Sequence, residues 1–266
     1  MLHQYIESFY ILTRKSEEKT DAYIAFPTTR YFVSINKNSA ITGNRYCFSF
    51  RHSSNNSLDS NFIYNLDKPH FFRYEGETDE FNICFKPLGL NAFLEEDLNS
   101  YPGGYFTPFK PFHDYQNRIA DILSIKNIEE KIKAMEGYWL SKLKGFEHPF
   151  LDKVINEICD EENTDKTIEQ IAFNNGVSRV TLNKHLQRHL CTSPARFRKI
   201  VRFRKAMKKH SIKRVIENLS DISYLVNYFD QSHMIKDFKS LTNQTPKNFF
   251  SNISPLENGE INWMFL

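Results

Sequence analysis

The pattern of hydrophobic and polar positions divides the chain into two unlike halves. From residue 5 to about residue 90, short runs rich in Tyr, Phe, Ile and Val alternate with clusters of Asn, Ser, Asp, Gly and Pro. Such alternation is typical of β-strands separated by turns. We therefore predict a mostly antiparallel β unit with strands in the segments YIESFYIL, RYFVSI, RYCFSF, NFIYNL and EFNICF.

The period of the pattern changes in the middle of the chain. Between residues 116 and 144, apolar side chains recur at intervals of three and four residues. This spacing predicts a pair of helices or one broken helix. Helical periodicity then continues to about residue 250, and we place the boundary between the two halves near Gly145.

The helical half contains an internal repeat. Residues 168–172, Ile-Glu-Gln-Ile-Ala, resemble residues 219–223, Leu-Ser-Asp-Ile-Ser, and a Ser-Pro before Ala195 has its counterpart in a Thr-Pro before Lys247. Each unit consists of a short helix, a turn, a second helix and a proline stop. The repeat predicts two tandem helix-turn-helix units, a plan in which the second helix of a unit enters the major groove of DNA.

Local signals in the first unit support this interpretation. Thr167 and Gln170 form a capping-box pattern before the first helix, and Gly176 permits a left-handed turn. Ser178 follows as the predicted cap of the second helix, which carries two leucines four residues apart. With the leucines on the core, the other faces of this helix present basic and amide side chains.

The charge distribution indicates the same kind of partner. Residues 1–145 carry 17 Lys or Arg against 18 Asp or Glu, whereas residues 166–252 carry 17 against 5. A basic segment of this kind favours a polyanion, because neutralising phosphates releases counterions. A basic surface that is only solvated is the alternative.

At these residues the chain resembles the AraC/XylS family of bacterial transcription regulators, over roughly residues 148–250. The family pattern I-A-x-x-x-G-x-S-x-x-x-L begins here at Ile171, and Arg202, Phe203 and Ala206 match its linking helix. A second match extends from Tyr228-Phe-Asp-Gln-Ser-His233 through Phe238-Lys239 to Thr245-Pro246. Three positions that are usually glycine in the family differ in this chain, namely Cys191, Asn227 and Asn243.

The resemblance implies double-stranded DNA as the partner and assigns the DNA-binding residues. In the first recognition helix these are Arg179, Val180, Asn183 and Lys184, and in the second they are Gln231, Ser232, His233 and Lys236. Asn and Gln can pair bidentately with adenine, and Lys can donate to guanine acceptors. The family also implies transcriptional activation, with RNA polymerase as a further partner, and a homodimer.

By the same resemblance, the β-rich half is a cupin-like β-barrel that senses a small-molecule effector. The aromatic side chains of its strands are expected to form mostly core, with an uncharged or weakly polar effector near residues 46–50, 62–64 and 71–74. Phe85-Lys-Pro-Leu-Gly89 resembles the F-x-P-x-G motif of one subgroup, in which the strand ends and a turn follows. A regulator or architectural DNA-binding protein without an effector is the alternative.

A metal-dependent cupin enzyme is the remote alternative. Such enzymes need two or three His and a carboxylate on one metal, usually with an H-x-H pair on a strand, and no such pair occurs. His185 and His189 are spaced one helical turn apart, but Leu186 stands where a zinc protease has Glu. We expect this pair to face the core or a phosphate, and we predict no catalysis, no metal and no cofactor.

Together these observations predict an α+β protein. Residues 1–145 are expected to form an antiparallel β-barrel domain with helices, residues 148–252 an all-α DNA-binding domain, and residues 253–266 a C-terminal tail. The N-terminus lacks the basic head and apolar run of a signal peptide, and we expect a cytoplasmic protein that does not bind membranes. The four cysteines form no CxxC pair and are expected to be reduced thiols.

Overall fold

A computed structural model of the chain describes residues 1–15, 20–55, 57–64, 67–101, 107–160, 166–213, 231–252 and 263–265. Strands occupy most of the N-terminal third, as the alternating pattern predicts. In chain order they are β1 (Ile6–Arg14), β2 (Asp21–Ala25), β3 (Tyr31–Lys37), β4 (Ser39–Gly43), β5 (Cys47–His52), β6 (Leu58–Ile63), β7 (His70–Glu75), β8 (Thr78–Phe85), β9 (Thr107–Pro108) and β10 (Trp263–Phe265).

The strands form two five-stranded sheets. One has the order β1-β8-β3-β6-β9 and the other the order β10-β2-β7-β5-β4. Every pairing among the described strands is antiparallel except that of β5 with β7, which confirms the mostly antiparallel β unit. Closure of the sheets into a barrel stays a prediction.

Helices follow the sheets. They are α1 (Tyr115–Ser124), α2 (Ile128–Ser141), α3 (Leu151–Cys159), α4 (Ile168–Asn174), α5 (Arg179–Leu190), α6 (Pro194–Lys213), α7 (Gln231–Thr242) and α8 (Pro246–Asn252). The apolar period between residues 116 and 144 thus belongs to a pair of helices, and the α+β class is confirmed. The linking helix α6 contains Arg202, Phe203 and Ala206, which match the linking helix of the family, and extends beyond them on both sides.

One hydrophobic core runs from the first sheet into the helical half. It joins Val33 and Ile83 of the sheet to Trp139 of α2, Leu151 of α3 and Leu182 of α5, all fully buried. The apolar stripe of α1 and α2 contributes to this core and is mostly covered by the chain itself. The domain boundary near Gly145 stays a prediction, and packing continues across it.

A second core joins the end of β2 to the last helices. Phe203 of α6, Phe238 of α7 and Phe249 of α8 are fully buried together with Phe26. The rings of Phe26 and Phe249 meet edge to face with centroids 4.9 Å apart. We call the described residues up to Pro108 the β region. The β region therefore packs against both ends of the helical half.

The described part of the C-terminal tail forms a strand. Trp263 pairs with Ala25 and Phe265 with Tyr23, which places β10 beside β2 in an antiparallel arrangement. The sequence alone does not indicate this pairing, because three residues are too few to show a period.

The F-x-P-x-G segment ends β8 at Phe85, as predicted, and a short 3₁₀-helix spans Gly89–Ala92. The left-handed residue of this turn is Leu88, with φ 63°. Gly89 is needed for a different reason, because a Cβ there would lie 2.1 Å from the carbonyl oxygen of Tyr5.

Among the described residues, no helix is both long enough and apolar enough to cross a membrane.

Candidate nucleic-acid interface

The turn between α4 and α5 is built as the sequence predicts. The Thr167 hydroxyl accepts from the Gln170 amide at 3.1 Å, and the Gln170 side chain accepts from the Thr167 amide at 2.7 Å. Gly176 adopts φ 69°, in the left-handed region that glycine enters without steric cost. Ser178 then caps α5 by accepting from the Thr181 amide at 3.0 Å. These contacts fix the direction in which α5 leaves the turn.

Helix α5 separates an apolar face from an exposed one. Leu182 and Leu186 are fully buried against the core. The four predicted DNA-binding residues lie on the exposed side, and Val180 is 80% exposed although it is apolar. They are Arg179, Val180, Asn183 and Lys184. Arg179 also pairs with Glu169 of α4 at 2.5 Å, in an exposed ion pair.

Helix α7 has the same division of faces. Met234 and Phe238 are buried, whereas the four predicted residues of the second recognition helix are exposed, namely Gln231, Ser232, His233 and Lys236. Asp237 is buried and accepts from Lys199 of α6 at 2.9 Å. The ion pair and the aromatic packing hold α7 on the linking helix.

The segments predicted as the first helix and the turn of the second unit lie outside the described residues. This applies to the segment 219–223 that repeats Ile168–Ala172, to Asn227 in the predicted turn, and to Tyr228-Phe-Asp230 before α7. The predictions made for those positions stay predictions.

Two of the residues that replace glycine adopt left-handed backbone conformations. Cys191 has φ 51° and Asn243 has φ 61°, and each follows the recognition helix of its unit. Asn tolerates this region well, whereas Cys pays a steric cost of about 1 kcal/mol or more. The chain therefore keeps the geometry of a glycine C-cap at both positions.

Residues 171–252 match the family model described as a helix-turn-helix domain. The C-terminal part of the chain is therefore a helix-turn-helix domain. A helix-turn-helix domain binds DNA, and the protein is a DNA-binding transcription regulator.

Solved structures that resemble the chain include ToxT from Vibrio cholerae, at 12% identity and a TM-score of 0.46, covering 92% of this chain and 97% of that chain. They also include ToxT of Vibrio cholerae strain SCE256 with a bound unsaturated fatty acid. That structure has 16% identity and a TM-score of 0.43, covering 91% and 95% of the two chains. Comparison with curated protein sequences gives no match.

Part of the positive charge of the helix-turn-helix domain faces the protein and not the solvent. Arg196 at the start of α6 pairs with Asp67 at 2.7 Å. Arg204 donates to the carbonyl oxygens of Phe26 at 2.7 Å and Pro27 at 2.6 Å. The charge that is available to a DNA backbone is therefore smaller than the balance of basic and acidic residues suggests.

The β region also holds the end of the first recognition helix. Tyr31 donates its hydroxyl to the carbonyl oxygen of Leu190 at 2.8 Å, and the Asn91 amide donates to the carbonyl oxygen of His189 at 2.9 Å. Arg188 pairs with Asp97. These contacts involve the C-terminal turn of α5 and leave its exposed face uncovered.

Among the described residues, a cavity between the β region and α6 is the candidate effector site. Its volume is about 40 Å³, which is room for about three water molecules. Aromatic side chains form part of its wall, and only Ile63 and Phe72 belong to the predicted segments. The other lining residues are Tyr10, Tyr23, Ala25, Phe26, Thr28, Phe32, Glu80, Asn82 and Arg204.

The polar side of this cavity contains a buried carboxyl group. Burial raises the pKa of Glu80, although hydrogen bonds from Ser34 at 2.6 Å and Tyr74 at 2.7 Å lower it in part. Arg204 lines the same cavity and belongs to the helix-turn-helix domain. Two ionisable side chains, Glu80 and Arg204, thus line a site for which the sequence indicates an uncharged effector.

One group of side chains near the domain boundary was missed by the sequence reasoning. His185 and His189 do face the interior, as one of the two expectations states, but His148 meets them there. The spacing of the pair on α5 is a usable signal. The sequence does not show that His148, 37 residues before His185, lies close to this pair. The distance between them depends on how α3 packs against α5.

Proposed function

We propose that the protein regulates transcription by reading two successive major grooves on one face of the DNA, with α5 in one and α7 in the other. The observation that carries this proposal is the linking helix. Phe197 and Val201 of α6 belong to the core shared with α5, whereas Phe203 and Met207 belong to the core shared with α7. A single helix packed into both cores favours a fixed spacing between the two recognition helices.

The proposed spacing is that of one turn of B-DNA, about 34 Å between the two reading positions. Because α5 presents Arg179, Val180, Asn183 and Lys184 and α7 presents a different set of residues, the two half-sites differ in sequence. One protein chain then recognises an asymmetric site without an internal palindrome.

Methylation interference on a bound promoter fragment tests this geometry. Methylation of guanine N7 blocks contacts in the major groove. We expect two clusters of interfering guanines about 10 base pairs apart on one face of the duplex. A single cluster, or two clusters of identical sequence related by a dyad, would contradict the proposal.

We propose a small-molecule effector only for the cavity lined by Glu80 and Arg204. A ligand of more than about three heavy atoms must move the aromatic wall, since the cavity has the volume of a few waters. Because Arg204 lies on α6, such a movement would reach the DNA-binding domain directly. Thermal-shift measurements on the purified protein with a panel of small ligands test this, and a regulator without an effector would show no stabilisation by any of them.

The remaining proposals follow from the family resemblance. They are transcriptional activation through RNA polymerase, a homodimer in the cytoplasm, and the absence of catalysis. On α2, Ile128 is 59% exposed and Leu140 is 44% exposed, so this helix has apolar surface available for a second copy. Sedimentation at tens of micromolar tests the dimer, and a monomer throughout would remove it.

A further inference from the structure

Three histidines converge where the N-terminus of α3 meets the C-terminal half of α5. His148 Nε2 lies 3.0 Å from His185 Nδ1. His189 lies one helical turn beyond His185, and one ring nitrogen from each of the three residues falls within 4.8 Å of the others. His189 is buried and the other two are half-buried.

These separations suit a tetrahedral metal site. Two imidazole nitrogens bound to Zn²⁺ at about 2.0–2.1 Å are about 3.3 Å apart. The pair formed by His148 and His185 is already close to this value. Two of the ring nitrogens in this group can be as much as 4.8 Å apart. Such a separation must shorten by about 1.5 Å to suit a tetrahedral ion, and rotation of the side chains can supply this movement.

A carboxylate stands behind one of the three rings. His189 Nδ1 is buried, has no hydrogen-bond partner among the described residues, and lies 3.5 Å from Asp97 Oδ1. Histidines that bind a metal through one nitrogen usually donate the other N–H to a carboxylate or carbonyl. With Nε2 of His189 on a metal, Nδ1–H would point to Asp97 and gain the partner that it lacks.

The chemistry of the donors defines the class of metal. All three donors are imidazole nitrogens. Neutral imidazoles bind Zn²⁺, Co²⁺, Ni²⁺ and Cu²⁺, whereas Mg²⁺ and Ca²⁺ prefer oxygen ligands. A groove lined by Phe146, Glu147 and Asp152 opens beside His148 and gives an ion a path from solvent.

The alternative is that the three histidines have only a structural role, in which their rings pack against neighbouring rings and two of them share a hydrogen bond. Phe146 and Phe150 do pack against the His148 ring. His148 Nδ1 also lies 3.4 Å from the amide of Phe150 and 3.3 Å from that of Leu151, two long contacts that a metal on Nε2 would release. Packing alone does not explain why the buried Nδ1 of His189 is left facing Asp97 without a hydrogen bond.

We propose that His148, His185 and His189 bind one divalent transition metal ion, with Zn²⁺ as the preferred ion and a water molecule as the fourth ligand. The ion would tie the end of the first recognition helix to the beginning of α3. Through Asp97 it would also strengthen the contact between that helix and the β region. The site is independent of the cavity beside Glu80.

Titration of the metal-stripped, untagged full-length protein with Co²⁺ tests the proposal. Tetrahedral Co²⁺ absorbs strongly in the visible range, and we expect one Co²⁺ per chain, displaced by one Zn²⁺. We also expect the melting temperature to rise with either ion, because a ligand that binds only the folded state stabilises it. Absence of binding at micromolar metal, or an octahedral spectrum, would overturn the proposal.

Single variants distinguish this site from adventitious binding. H148Q, H185Q and H189Q should each weaken Co²⁺ binding about tenfold or more, whereas H52Q, at an exposed histidine of β5, should bind as the wild type does. H148Q lies outside the recognition helix and serves if the α5 variants fold poorly. Equal Co²⁺ affinity in H148Q and the wild type would overturn the proposal.

Discussion

Tyr31, the first residue of β3, donates its hydroxyl to the carbonyl oxygen of Leu190, the last residue of the first recognition helix, across 2.8 Å. Both residues are buried. A carbonyl group in the last turn of a helix has no partner within that helix, so the β region supplies one. The position of α5 therefore depends on a residue 159 positions earlier in the chain.

Removing this hydroxyl should loosen the end of α5. In Tyr31→Phe the buried carbonyl of Leu190 loses its donor, and we expect the free energy of unfolding to fall by about 1–2 kcal/mol. Amide hydrogen exchange in the last turn of α5 should accelerate.

The control is Tyr115→Phe, which breaks a bond of the same length between Tyr115 of α1 and Ser60 of β6. It should lose comparable stability without a local change in α5. Equal exchange in α5 for both variants would show that Tyr31 does not hold the helix.

The turn of the first unit gives a second prediction. Gly176 has φ 69° and open space around its missing Cβ, so Gly176→Ala introduces backbone strain without a clash. We expect a loss of about 1–2 kcal/mol in the free energy of unfolding. Gly137→Ala, within α2 and equally open, should gain up to about 1 kcal/mol. Thermal melts that move in the same direction for both variants would contradict this interpretation of the turn.

Much of the first unit was accessible from the sequence because its signals are local. The capping pair Thr167 and Gln170, the left-handed Gly176 and the buried Leu182 all depend on residues within one turn of helix. The resemblance to a known family added the eight predicted DNA-binding residues, and these are all exposed in the structure. Their contacts with bases stay predictions.

Other features depend on contacts between distant parts of the chain. The sequence does not show that Phe26 packs on Phe249, that β10 joins β2, or that His148 meets the α5 pair. The volume of the cavity beside Glu80 is equally inaccessible, since it is a small difference between large packed volumes. The balance of basic residues misled in part, because it does not reveal that Arg196 and Arg204 face the β region.

This distinction among basic residues predicts different salt responses. Lys184 is exposed on α5, and Lys184→Gln should reduce the slope of log affinity for DNA against log salt by about one unit. Arg204 donates to backbone carbonyls of the β region, so Arg204→Gln should leave the slope unchanged and lower the melting temperature. Fluorescence anisotropy over a range of salt concentrations measures both. A reduced slope for Arg204→Gln would mean that its guanidinium reaches DNA.

Glu80 predicts a dependence of stability on pH. Its pKa is raised by burial in the folded state, so the folded protein retains a proton that the unfolded chain releases. The contribution of Glu80 to the free energy of unfolding is fully present below the ordinary carboxyl pKa. It falls as the pH rises above that pKa. Urea unfolding between about pH 5 and pH 9 should show a smaller decline for Glu80→Gln than for the wild type. Parallel pH profiles would exclude Glu80 as the cause.

Selection of binding sites from a randomised DNA pool tests the central claim most directly. The proteins to compare are the wild type, Asn183→Ala, Gln231→Ala and the control Asn156→Ala, which removes an exposed amide on α3. We predict that Asn183→Ala and Gln231→Ala each lose about 1–3 kcal/mol of preference at one base pair, at positions about one helical turn apart. The control should select the wild-type sequence. Identical preferences in all four proteins would contradict the assignment of α5 and α7 as the helices that read the bases.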